Sequence, residues 1–158
     1  MSLMKNYTLD ELSVGQTATF SKTLTRADMV LFAQCSGDAN PVHLDDEYAA
    51  TTAFGGPIGH GMWTGAVVSA AIATSLPGPG SVYRSQNLTF KTPVRPEDEI
   101  TVHLTVTSIR EKLRLVEIAC EVLNQEGKLV ARGVAEVIAP AERLEIPAAV
   151  LPAIRIEQ

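Results

Sequence analysis

The sequence predicts an α+β fold in which a curved antiparallel sheet wraps around one long helix. Two observations carry this. Residues 58–76 contain no Asp, Glu, Lys or Arg, and from residue 61 onward they form an apolar helical stretch that ends at Pro77-Gly78-Pro79-Gly80. Beyond that break the hydrophobic period becomes two and holds through successive segments joined by short turns. Neighbouring strands with tight connections pair antiparallel, and a helix on one face leaves the other face to water.

Taken in order, residues 10–15 read as a loop and residues 16–24 as a first strand, with Ala18, Phe20 and Leu24 on its apolar side. Thr25 caps a helix whose first turn holds Asp28, and Gly37 stops it. Asp45, Asp46 and Glu47 suit the start of a second, short helix reaching about Thr52. Residues 61–76 would span about 24 Å at roughly 1.5 Å per residue, and their small residues Gly65, Ala66, Ser69, Ala70 and Ala73 would let a sheet approach closely. Residues 82–90 form a strand, and 92–98 a turn region. Ile100, Val102, Leu104 and Val106 alternate with Thr101, His103, Thr105 and Thr107, which turns His103 outward. Val116, Ile118, Cys120 and Val122 continue the pattern, Asn124-Gln125-Glu126-Gly127 reverses the chain, and residues 129–138 return it. The expected organisation is a single domain over residues 1–158, with a core of about 12–139 and a tail of 140–158.

At 158 residues such a chain buries roughly two thirds of its unfolded surface. A net charge of −5 with scattered basic residues excludes nucleic acid and anionic membrane as main partners. The polar first ten residues lack a signal-peptide pattern, and the 58–76 stretch is too rich in small residues for a membrane span. Cys35 and Cys120 match no zinc or redox spacing and read as buried free thiols of a reducing, cytoplasmic compartment.

The chemistry concentrates in two pieces. In Cys35-Ser36-Gly37-Asp38-Ala39-Asn40-Pro41-Val42-His43, a carboxylate and an imidazole lie five residues apart on a segment that Gly37 and Pro41 keep from continuing as a helix. Asp38 and Asn40 can bond their own backbone and fix a turn that aims Asp38 and His43 at one point. In Gly55-Gly56-Pro57-Ile58-Gly59-His60-Gly61-Met62, a glycine-rich loop opens the apolar helix and offers free N–H groups to an anionic oxygen. An acid–base pair beside such a helix start suits reactions at an activated carbonyl. His60 reads as a residue that shapes this loop. Asp38, His43, Asp45 and Asp46 are poor metal ligands, with one imidazole among them and acids that fit a helix start, so no metal is expected.

The pattern Phe32-x-x-x-Ser36-Gly37-Asp38-x-Asn40-Pro41-x-His43, followed by Gly61-Met62, resembles the MaoC-like, (R)-specific enoyl-CoA hydratases, the hydratase 2 group with the hot-dog fold. The segment Phe90-x-x-Pro93-Val94-x-x-x-Asp98 is a weaker match, and the likeness runs from about Leu12 to Ala139. The resemblance implies reversible hydration of a trans-2-enoyl-CoA to the (R)-3-hydroxyacyl-CoA. In it Asp38 and His43 hold one water, and the Gly61 N–H stabilises the thioester enolate. It puts Asn40, Met62 and Ser69 in substrate binding, Ser69 by supporting the aspartate or lining the pocket; the alternative is a serine bonding back to its own helix. Arg84, Lys91, Arg95 and Lys112 are candidates for the coenzyme A phosphates, with Arg84 and Lys91 preferred. No cofactor is expected, since the coenzyme A thioester is the substrate, and the partner is a second copy in a homodimer or larger homo-oligomer. The rivals are a dehydratase or thioesterase acting on carrier protein, disfavoured because residues 63–76 hold no acid, and a non-catalytic acyl-CoA binding subunit.

Overall fold

The alternating faces of the second half of the chain set the architecture, because each buries its apolar side against the same helix. The computed structural model describes residues 3–157. In chain order its elements are β1 (Leu3–Lys5), β2 (Thr17–Thr23), α1 (Arg26–Ser36), α2 (Pro41–Leu44), α3 (Asp46–Thr51), α4 (Gly61–Thr74), β3 (Val82–Phe90), β4 (Glu99–Arg110), β5 (Leu115–Asn124), β6 (Leu129–Ile138) and β7 (Glu145–Pro147). Five strands form one sheet in the order β2-β4-β5-β6-β3, each neighbouring pair antiparallel.

Ile100, Val102, Leu104 and Val106 of β4 and Val116, Ile118 and Val122 of β5 are fully buried, as the period-two pattern requires. Each such side chain contributes roughly 1.5–3 kcal/mol when removed from water. Against them α4 presents Trp63, Val67, Val68, Ala71 and Ile72. The helix therefore turns its large side chains to the sheet, and among the small residues Gly65 meets β3, with Leu88 Cδ1 3.5 Å from where its Cβ would lie. Ala66, Ser69 and Ala73 lie on its exposed side, with Met62. A stretch apolar all round gives no amphipathic signal, so size alone selects the face that packs.

The strands do not run as one meander. β3 pairs with β6 and β2 with β4, which places β2 and β3 at opposite edges. The segment between β3 and β4 crosses from one edge to the strand beside the other edge. Pro93 and Pro96 deny it hairpin donors, and its backbone bonds go elsewhere: Gly59 N donates to Val94 O at 2.7 Å, Leu24 N to Asp98 O at 2.9 Å, and Glu97 N to Leu24 O at 2.7 Å. This crossing brings the sheet to the glycine-rich loop.

The chain ends meet. β1 pairs with β7, Met4 opposite Ile146, and the buried Asn6 bonds the carbonyls of Pro79 and Glu142 and the N–H of Leu144. The tail thus packs at residues 145–147, while Val150 and Leu151 beyond it are exposed. Among the described residues no helix is long and apolar enough to cross a membrane. Cys120 is buried, but Cys35 is exposed: it falls on the outer side of α1, its Sγ 3.4 Å from the Phe32 carbonyl of its own helix.

Candidate active site

Three elements end or begin at one place. α1 starts as expected, with Thr25 accepting from Asp28 N at 3.0 Å, and stops at Gly37, whose φ of +79° is the left-handed conformation that favours glycine. Asp38 follows immediately. Its N–H donates to Ser36 Oγ at 3.1 Å, and its Oδ1 accepts from Asn40 N at 3.2 Å, so one carboxylate oxygen is used in fixing the turn.

Pro41 does more than break a helix. It stands at the first position of α2, where a missing N–H costs nothing, and Asn40 caps that helix by accepting from Val42 N at 3.2 Å. His43 is thus carried on a short helix rather than on a loop. α3 follows with Asp45 as its cap, accepting from Tyr48 N at 3.0 Å, and Asp46 pairs with Arg26 at 2.7 and 2.9 Å. Those two acids serve structure.

His43 is buried, and its Nδ1 lies 2.8 Å from the Ile58 carbonyl. A carbonyl only accepts, so Nδ1 carries the hydrogen, and the neutral ring presents Nε2 as an acceptor. Nε2 stands 3.9 Å from Asp38 Oδ2. The distance is too long for a direct hydrogen bond, and between two acceptors it suits a molecule that donates to both. Asp38 is half exposed at its side chain while His43 is 10% exposed, so the pair opens to solvent from the carboxylate side.

Beside them α4 begins at Gly61, whose N–H, as the first of the helix, has no intrahelical acceptor. A cleft of about 240 Å³ opens here, lined by His43, Phe54, Ile58, Gly59, His60, Gly61, Thr64, Phe90, Lys91, Val94 and Val130 among others. Its walls are mostly apolar, with an imidazole and a helix start at one end, the makeup of a site for a small acyl group.

The fold thus brings Asp38, His43 and Gly61 together and puts Lys91 at the cleft. Asn40 is adjacent as the cap of α2. Met62 is exposed and leans on Gly65. Ser69 is exposed two turns along α4 and is not among the cleft-lining residues; Arg84 is exposed on β3, 3.8 Å from Glu136, about 20 Å along the strand from Phe90. Arg95 donates to the Phe54 carbonyl at 2.6 Å and pins the glycine-rich loop. His60 is the residue whose position the sequence does not reveal. It is 2% exposed, its Nε2 is 2.9 Å from the Asp38 carbonyl, and its ring stacks on His43 at 3.8 Å between centroids. The His-Gly step at the helix start is the one signal that could have found it. Asp38, His43 and His60 together offer atoms within 4.8 Å of one another, the one such group among the described residues. Two of the four imidazole nitrogens are already committed to carbonyls, and a single half-exposed carboxylate completes the set, a donor array better matched to proton transfer than to a closed metal site.

Known proteins resemble this chain in sequence and in fold. An (R)-specific enoyl-CoA hydratase of Rhodospirillum rubrum is 41% identical over 134 residues, covering 84% of this chain and 91% of the relative. The enzyme of the same description from Aeromonas caviae is 43% identical over 129 residues, covering 82% and 96%. Among solved structures, the R-hydratase PhaJ1 of Pseudomonas aeruginosa in its unliganded form superposes with a TM-score of 0.94 at 47% identity, covering 99% of this chain and 100% of that one. The hydratase from A. caviae superposes at 0.79, covering 82% and 98%. The curved sheet and its helix are thus the hot-dog fold of these hydratases, and with the MaoC like domain family matching residues 11–127, the chain belongs to that family.

Proposed function

We propose that the protein catalyses the (R)-specific, reversible hydration of trans-2-enoyl-CoA to (R)-3-hydroxyacyl-CoA. The observation that carries this reading is the pair of acceptors, Asp38 Oδ2 and His43 Nε2, held 3.9 Å apart, with His43 lining the same apolar cleft as the helix N-terminus at Gly61.

One water donating to both acceptors has its lone pair directed at C3 of the bound enoyl group. As the C3–O bond forms, His43 Nε2 takes one water proton and the C2=C3 electron pair moves toward the thioester oxygen as an enolate. His43 then returns that proton to C2, on the same face, so the atoms of one water have added across the double bond. Asp38 holds the second proton's position and ends as it began, a carboxylate. The N–H of Gly61 meets the developing enolate oxygen; losing such a donor costs roughly 3 kcal/mol of barrier. Phe54, Ile58 and Phe90 take the acyl chain, and Lys91 meets the phosphates of coenzyme A. No cofactor or metal enters this scheme.

The protein acts as a homodimer in the cytoplasm on this reading. Met62 on α4 and Val82 and Phe90 on the edge strand β3 are large apolar side chains left exposed in one protomer, which supports their being covered by a second copy. Light scattering on the eluted protein should give twice the chain mass.

The test is hydration of crotonyl-CoA followed by loss of enoyl absorbance, with the C3 configuration of the product determined. The wild type should give the (R) product, and Asp38→Asn and His43→Gln should each lose roughly 10²–10⁴-fold in kcat. Variants that bind crotonyl-CoA yet turn it over at the wild-type rate would reject the pair as the acid–base centre. An inactive wild type would favour a non-catalytic acyl-CoA binding subunit.

A further inference from the structure

The acid–base pair rests on a residue that takes no part in the chemistry proposed above. His60 is buried to 2% exposure directly before Gly61 and makes two contacts of different kinds. Its Nε2 stands 2.9 Å from the carbonyl oxygen of Asp38 and, facing an acceptor, carries the hydrogen. Its ring lies under that of His43 at 3.8 Å between centroids and 29° between planes. Phe32 packs on it at 5.0 Å between centroids, tilted by 50°, so the His60 ring touches both Phe32 and His43. Its remaining nitrogen, Nδ1, is buried with no hydrogen-bond partner among the described residues. An unpartnered buried acceptor is disfavoured in folded proteins, and one that persists asks for an explanation.

We infer that His60 is a positioning residue for the Asp38–His43 pair, holding the aspartate through its backbone carbonyl and the histidine through its ring face. The inference rests on the hydratase reading. It explains why a histidine stands here despite the stranded Nδ1. A phenylalanine would keep a ring against His43 but offer Asp38 no donor, and a glutamine would supply the donor but no ring. The two constraints on His43 are perpendicular: the Ile58 carbonyl fixes the ring edge-on at 2.8 Å, and His60 fixes its plane. Asp38 is tied at both ends of the residue, its carboxylate by Asn40 N and its carbonyl by His60. When His43 takes the proton from water, the cationic ring sits on the π face of the His60 ring, a favourable arrangement reached only after transfer. Because His60 precedes Gly61 directly, the same residue sets the spacing between the acid–base pair and the N–H that meets the enolate oxygen.

The experiment compares wild type, His60→Phe and His60→Gln in crotonyl-CoA hydration, with the fluorescence of Trp63, the sole tryptophan, and thermal melts as reports on the fold. Each variant removes one of the two contacts and keeps the other. Both should lose roughly 10- to 100-fold in kcat with KM within about threefold, since small misplacements of reacting groups cost this much. The melts should stay cooperative with unchanged Trp63 emission. An active wild type with both variants within about twofold of its kcat would overturn the inference and leave the hydratase reading intact. The inference also fails if KM rises while kcat holds, or if both variants unfold, since either would make His60 a wall of the cleft or a part of the core. A wild type with no hydratase activity would overturn the inference together with the reading it rests on.

Discussion

Gly59 lies so close to Leu24 that a Cβ built on it would fall 2.5 Å from Leu24 Cδ2. Leu24 is fully buried where the crossing segment meets β2, and its backbone bonds both Asp98 and Glu97. Neither partner has room to withdraw. Gly59→Ala should therefore destabilise the protein by roughly 1–3 kcal/mol, the usual cost of overpacking. Urea denaturation followed by Trp63 emission reads this directly, and an unchanged midpoint would show that Leu24 repacks freely.

Two residues on, the same substitution should act differently. A Cβ on Gly61 would meet the ring of Phe90 at 3.6 Å, an ordinary contact, and Gly61 is not in the left-handed region. Gly61→Ala should keep its stability within about 1 kcal/mol, as Ala is a good helix residue. The methyl group enters the cleft between the helix start and Phe90, so kcat/KM for crotonyl-CoA should fall roughly 10-fold or more. Stability and turnover measured on one preparation separate these effects.

Asn40 tests how α2 delivers His43. Removing its cap should cost about 1 kcal/mol and loosen the helix that carries the imidazole, so Asn40→Ala should lose both stability and kcat. Asn40→Ser, which can accept from the same N–H, should recover most of each. Equal losses in the two variants would assign Asn40 to direct contact with substrate.

The two thiols should behave unlike each other. Cys35 is exposed and should react with a thiol reagent in the native protein, while Cys120 should react only after unfolding. Burial pushes the Cys120 thiol up to about 11. Its neutral form is thus favoured by folding, and this contribution is complete below the unfolded value near pH 9. As pH rises from about 9 to 11 the unfolded chain ionises first, and stability should fall by roughly 2–3 kcal/mol. Burial raises the Tyr83 phenol as well, with the same sign. Chemical denaturation at pH 8, 9.5 and 11 would check the slope.

Much of the fold is legible in the sequence because it rests on local rules. The Thr25 cap, the Gly37 stop, the Asp45 helix start and the inward faces of β4 and β5 each follow from a few neighbouring residues. The features that escape depend on distant parts of the chain. The pairing of β3 with β6 is decided by a crossing whose bonds go to Leu24 and Gly59. The β1–β7 clasp joins segments 140 or more residues apart, each too short to show a period. His60 is invisible as a neighbour of Asp38 and His43 because 16 residues separate it from the nearer of the two, and only the folded excursion closes that gap. The packing face of α4 could not be chosen, since every side of that helix is apolar.

The groups that make and break bonds in the proposed reaction, Asp38, His43 and Gly61, lie on one contiguous excursion from the sheet. The opposite wall of the cleft, with Phe90, Lys91, Val94 and Val130, comes from β3, β6 and the segment that joins β3 to β4. Bond-making is therefore confined to one stretch of polypeptide, while fit is shared between Phe54 and Ile58 of that stretch and residues of the sheet. Exchanging Val130 or Phe90 re-cuts the depth of the cleft without touching the proton-transfer pair, so such a scaffold can diversify its appetite for chain length by point changes in the sheet while its reaction stays fixed.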